Sequence, residues 1–153
     1  MMKNILLIGC GHMGNSLLVA WSKINLYSIS VVDPRVDLIS STLVKNRKIK
    51  IYKNITKINK NKKFKFIVLA VKPLDLKKVI ENLKNYNFQK NSVLISVIAG
   101  KKIEVFQNNL GNNRQIVRVM PNMPASIGEG MNCIVKNKFT TTANLKEINK
   151  LFK

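Results

Sequence analysis

Three glycines near the amino end, Gly9, Gly11 and Gly14, have the spacing G-x-G-x-x-G. Such a turn suits the pyrophosphate of a dinucleotide. Gly9 permits the tight bend, Gly11 leaves the backbone bare for the phosphates, and Gly14 lets a following helix pack closely on the preceding strand. The start of that helix offers free N–H groups to the anion. Cys10, His12 and Met13 fill the other places of the turn. Asp33 stands 19 residues after Gly14, where a carboxylate can accept hydrogen bonds from an adenosine ribose. A carboxylate there repels a 2′-phosphate and argues for NADH. Arg35 lies just beyond and complicates this, because an arginine there could hold a 2′-phosphate. Asp33 also suits the N-cap of a helix starting at Pro34, and the two roles can coexist.

Other reactive side chains are scarce. His12 sits too near the pyrophosphate to work at a nicotinamide and reads as an exposed loop residue. Cys10 reads as a small residue in a tight turn. No catalytic acid, base or nucleophile is assigned. One histidine and two cysteines, Cys10 and Cys133, provide neither a metal site nor a disulfide framework.

The glycine turn needs a strand before it and a helix after it, and the sequence supplies both. Asn4–Ile8 is a short apolar run, and Met13, Leu17, Leu18 and Trp21 follow at helical spacing. Ser28–Val32 predicts a second strand and Lys48–Tyr52 a third. Between them a helix is expected from Pro34 through Val36, Ile39, Leu43 and Val44. Asn54–Lys65 is polar, with a short helix expected around Ile55–Ile58. Phe66–Val71 is a continuous apolar run, as a central parallel strand should be. A helix over Asp75–Tyr86, a strand over Ser92–Val97, a helix through Ile103, Phe106 and Leu110, and a strand over Gln115–Val119 come next. A proline- and glycine-rich loop, a strand over Met131–Val135 and a helix over Thr140–Lys153 complete the series. Alternation of this kind predicts an α/β, Rossmann-type, doubly wound and mostly parallel sheet flanked by helices. Residues 1–153 are read as one NAD(P)-binding domain.

The formal charge of +20 comes from 27 basic and 7 acidic residues. Only Arg35, Arg47, Arg114 and Arg118 are arginine, so lysine dominates. Lysine, asparagine and isoleucine all have A/T-rich codons, and base-biased coding produces this composition without a polyanionic partner. Readers of phosphates and bases favour arginine. The lysines are spread along the chain, with a local cluster at Lys57–Lys65. No nucleic-acid partner is expected, and no membrane partner, since no apolar run approaches a bilayer span. A cytoplasmic location is expected.

Two further stretches narrow the class. "VLAVKP" spans Val68–Pro73 and "VRVMPNMPASIGEGM" spans Val117–Met131. Together with "ILLIGCGHMG" and "LISVIAG", they make the chain resemble pyrroline-5-carboxylate reductase, the last enzyme of proline synthesis. The resemblance runs from about Lys3 to the C-terminus, with Asn54–Lys65 diverging most. The glycine turn alone is equally similar to β-hydroxyacid and 6-phosphogluconate-type dehydrogenases.

The resemblance implies hydride transfer from NAD(P)H to the C=N carbon of 1-pyrroline-5-carboxylate, giving L-proline. It implies that Gly9–Gly14 hold the pyrophosphate and that Ala70, Val71, Lys72 and Pro73 line the cofactor. Met120, Pro121 and Asn122 would border the nicotinamide and the imine, with Pro121 and Pro124 stiffening their loop. Plainer roles stay open: Lys72 as a surface lysine, Arg118 as an ion-pair partner, Asn122 bonding its own turn, Gly128 and Gly130 as turn residues. In the family a helical second domain builds the dimer and supplies most substrate contacts. Here the chain ends at "NLKEINKLFK", inside the last helix expected of the first domain. That helical domain is expected to be missing, with a homodimer only where it is supplied. The alternatives are a non-catalytic dinucleotide-binding module, or a fragment needing a separate partner.

Overall fold

The computed structural model describes residues 2–36, 39, 41–86, 89–121 and 132–153. Strand β1 (Lys3–Ile8) leads into helix α1 (His12–Ser22), then β2 (Tyr27–Val32), α2 (Ser41–Val44) and β3 (Ile49–Tyr52). A 3-10 turn, Ile55–Lys57, precedes β4 (Phe66–Leu69). The chain continues through α3 (Leu76–Lys84), β5 (Val93–Ser96), α4 (Ile103–Leu110) and β6 (Gln115–Pro121). It ends with β7 (Asn132–Lys136) and α5 (Thr142–Leu151).

The strands form one sheet in the order β3-β2-β1-β4-β5-β6-β7. The first six run parallel, and β7 pairs antiparallel with β6. This is the expected Rossmann-type arrangement, with its switch of winding direction between β1 and β4.

The continuous apolar run of β4 has a direct cause: all four residues are buried, two on each face. Phe66 and Val68 pack with Leu17, Leu18, Trp21 and Ile148 under α1 and α5. Ile67 and Leu69 pack with Leu76, Ile80, Leu83 and Phe106 under α3 and α4. Edge and helical segments alternate instead, because each buries one side only. Helix α5 is capped by Thr141, whose hydroxyl accepts from the Asn144 amide at 3.2 Å. It is pinned to α1 by the Trp21 indole, which donates to the Leu151 carbonyl at 2.9 Å and meets the Phe152 ring edge-on.

Two expectations need correction. The helix expected from Pro34 does not begin there: residues 34–35 form a turn, and α2 covers only Ser41–Val44. Ile39 and Leu43 are nevertheless buried, as their spacing requires. Met120 and Pro121 belong to β6 and not to the loop, because Cys133 and Asn132 pair with them across the antiparallel ladder. Proline is tolerated at a strand end, where its missing N–H breaks little of the ladder. Asn122, Pro124, Gly128 and Gly130 lie outside the described residues.

Candidate dinucleotide-binding site

The glycine turn sits at the carboxyl end of β1, on the switch point, where open α/β sheets bind ligands. Each glycine answers to a different neighbour. Gly9 has φ +92°, and a Cβ there would stand 2.6 Å from the Ala70 carbonyl oxygen. A Cβ on Gly14 would stand 2.1 Å from the Gly9 carbonyl oxygen. Both positions are closed by the protein itself. At Gly11 the only atom among the described residues within 4 Å of such a Cβ is Nη2 of Arg35, at 3.8 Å. Gly11 therefore faces open space and leaves room for a bulky ligand. It is also the N-cap of α1, with no side chain capping the first turn. The helix start is left to an incoming anion, as a pyrophosphate site needs.

Asp33 lies beneath this turn. Its Oδ2 accepts from the Cys10 N–H at 2.6 Å and its Oδ1 from the Arg35 N–H at 2.8 Å. The side chain is 5% exposed. Both oxygens are thus engaged in holding the glycine turn to the end of β2, and little carboxylate surface faces outward. The bond to Arg35, two residues on, closes an Asx-type turn, which replaces the expected cap of a helix beginning at Pro34. The Arg35 side chain is more than half exposed, with Nε 3.6 Å from Asp33 Oδ1. The fold thus brings the turn, Asp33 and Arg35 together. Sequence reasoning missed the Cys10–Asp33 bond; no spacing rule announces a carboxylate that organises a turn 23 residues away.

Ala70 and Val71 follow β4 and back the turn directly. The Ala70 N–H donates to the Ile8 carbonyl at 2.8 Å. Lys72 and Pro73 are exposed beyond them, with the Lys72 carbonyl accepting from the Asp75 amide. Met120 is 55% exposed at the end of β6, two strands from β4. His12 is the exposed first residue of α1, not a loop residue. Arg118 has no ion-pair partner among the described residues, and its Nε is buried without an acceptor there.

Burial pushes the Cys10 thiol up to about 11, with the Asp33 carboxylate adding to the rise and Arg35 opposing it. Near neutrality about one such thiol in 10⁴ is ionised, and the thiolate is the nucleophile. Iodoacetamide at pH 8 should therefore modify exposed Cys133 and spare Cys10, with Cys10 labelling rising only as the pH approaches 11. Mass spectrometry of tryptic peptides reads both sites. Early loss of unmodified Cys10 at pH 8 would contradict the buried, carboxylate-flanked setting.

Among the described residues no group of three or more His, Cys, Asp or Glu side chains could hold a metal ion, and no helix is long and apolar enough to cross a membrane.

An open glycine turn at the switch point of a 3-2-1-4-5-6 sheet, with a bare helix start above it, defines a dinucleotide-binding Rossmann domain. More narrowly, the chain belongs to the family described as NADP oxidoreductase, coenzyme F420-dependent, whose model matches residues 4–100. It is 37% identical over 92 residues to pyrroline-5-carboxylate reductase of Mycobacterium tuberculosis strain H37Rv, a match covering 57% of this chain and 31% of that enzyme. It is 28% identical over 156 residues to the Escherichia coli K12 enzyme of the same name, covering 100% of this chain and 56% of the other. The fold superposes on Plasmodium falciparum pyrroline carboxylate reductase with NADP bound, at a TM-score of 0.78 and 27% identity, over 99% of this chain and 55% of that one. The chain spans between about a third and just over half of the length of these curated relatives.

Proposed function

We propose that this chain is the cofactor-binding domain of a pyrroline-5-carboxylate reductase, serving proline biosynthesis and taking NADPH in preference to NADH. The observation that carries the proposal is the open face of Gly11 above an uncapped helix start, beside an exposed arginine. When bound, the cofactor supplies a hydride for an imine carbon. The chain's own work is placement. The first turn of α1 holds the pyrophosphate, with Cys10, His12 and Met13 around it. Ala70 and Val71 form the wall behind, Lys72 and Pro73 extend it, and the end of β6 with Met120 and Pro121 borders the reacting ring. No side chain here is asked to move a proton. The groups that hold the substrate are assigned, by resemblance, to a helical domain in the part of the relatives that this chain does not span, as is homodimer formation.

The preference for NADPH follows from Asp33 and Arg35 together. The carboxylate that would repel a 2′-phosphate is turned inward and hydrogen-bonded to two amides, while the arginine side chain is exposed above Gly11. Arg35→Ser should weaken NADPH binding about fivefold, near 1 kcal/mol for an exposed charge pair, and leave NADH binding unchanged. Fluorescence titration with each cofactor measures this. Equal losses for both would show that Arg35 does not read the 2′-phosphate.

The catalytic part is tested by following NADPH oxidation with 1-pyrroline-5-carboxylate, using the complete protein. Saturable NADPH binding with no imine reduction would leave a binding module without chemistry of its own.

A further inference from the structure

The fold gathers charge that the sequence spreads. Residues 45–65 include ten Lys or Arg and no Asp or Glu. In space, residues 45–62 lie on and beside one edge of the sheet, whereas Lys65 stands at the start of β4, between β1 and β5, and reaches Asn144 of α5. β3 is the terminal strand of the sheet, and the segment after it folds over the neighbouring strands through Ile55, Ile58 and Phe64. Lys45, Arg47, Lys50, Lys53, Lys57 and Lys60 are exposed along this edge. Neither described salt bridge, Lys3–Glu147 or Arg35–Asp33, lies here. Three of the lysines reach neutral oxygens: Lys48 the Asn25 side chain at 2.5 Å, Lys62 the Ser30 hydroxyl at 2.8 Å and, away from this edge, Lys65 the Asn144 side chain at 2.5 Å. Burial, then repulsion from Lys50, lowers the pKa of Lys62, as expected where cations face one another without a counter-charge.

We infer that the β3 edge is a docking surface for the phosphate backbone of nucleic acid, bound without sequence readout. Charge complementarity selects the partner. The exposed large apolar residues, Met2, Leu26, Leu74, Met120 and Val135, all fall outside 45–65, so the edge has nothing to insert into a bilayer. Protein partners are held through aromatic, Met and Arg anchors, and lysine is depleted at such interfaces. Nucleic-acid interfaces are instead polar and strongly cationic. The single arginine, Arg47, provides little for base recognition, which depends on the guanidinium fork. A charged edge strand also deters edge-to-edge pairing between copies. That role needs lysines on β3 itself and none on the segment after it.

The test is fluorescence anisotropy with a labelled mixed-sequence 20-nucleotide single strand, titrated at 50 to 200 mM salt. Two variants carry the same net charge. One has Lys45→Gln, Lys50→Gln, Lys57→Gln and Lys60→Gln. The other has Lys77→Gln, Lys84→Gln, Lys146→Gln and Lys150→Gln. Circular dichroism and NADPH titration check that both remain folded. The edge variant should bind at least tenfold more weakly and the control within twofold of the parent, with a parent log–log salt slope of about −3 to −4 for four to six phosphate contacts on a single strand. A scrambled strand should bind equally well. Equal losses in both variants would overturn the proposal by assigning the binding to net charge alone. No binding at 50 mM salt, or tighter binding to phosphatidylserine vesicles than to the strand, would also overturn it.

Discussion

Gly11→Val should leave the protein folded and remove most of its affinity for dinucleotide. Among the described residues the added Cβ meets no atom closer than the Arg35 Nη2 at 3.8 Å, and φ at Gly11 is −70°, which any residue can adopt. The cost to the free protein is that of a poorer N-cap, about 1 kcal/mol. The cost to the complex is larger. The branched side chain occupies the space above the first turn of α1, where the pyrophosphate must approach the amides. Overpacked contacts of this kind cost about 1–3 kcal/mol, so NADPH should bind roughly 5- to 150-fold more weakly. Fluorescence titration gives the affinity and thermal melting the stability. Unchanged affinity in a folded variant would move the cofactor away from this turn.

Gly14→Ala should do the reverse and strike stability before binding. Its Cβ would lie 2.1 Å from the Gly9 carbonyl oxygen and 3.0 Å from the Gly9 carbonyl carbon. Those are backbone atoms, and Gly9 cannot yield easily, because its N–H donates to the Val32 carbonyl at 2.8 Å and Ala70 closes its other side. Relief requires α1 to lift from β1 and β4, which disturbs the packing of Leu17, Leu18 and Trp21. A loss of about 3 kcal/mol is expected for overpacking against so rigid a neighbour. For a domain of this size that is a fall in Tm of roughly 10 °C. Scanning calorimetry without cofactor measures it, and a Tm within 2 °C of the parent would show that the turn is softer than its contacts imply. The two glycines thus separate what three identical letters in a motif combine: one keeps space for a ligand, the other for a helix.

The motif was legible because its requirements are local. A buried run, a glycine turn and a 3.6-residue periodicity follow one another without interruption, and β4 declared itself by being apolar on both faces. Interactions between distant segments were less legible. Periodicity does not encode strand direction, so the antiparallel arrival of β7 beside Met120 and Pro121 had no signature. Asp33 carried two readings, ribose acceptor and helix cap. Its observed partners, the Cys10 and Arg35 amides, follow from the close approach of the first two βα turns. The lysines looked dispersed because a linear count cannot show that β3 is an edge.

Trp21 is the one tryptophan in the chain, and its position has a spectroscopic consequence. It lies nine residues along α1 from His12, about 14 Å at 1.5 Å per residue. The Leu151 carbonyl and the Phe152 ring hold the indole in place. Indole emission overlaps the absorption of a reduced nicotinamide, so α1 carries an energy donor near the turn proposed to receive the acceptor. On the proposed function the domain would be its own optical reporter: the light lost from one buried ring would count the dinucleotides bound, with no label attached.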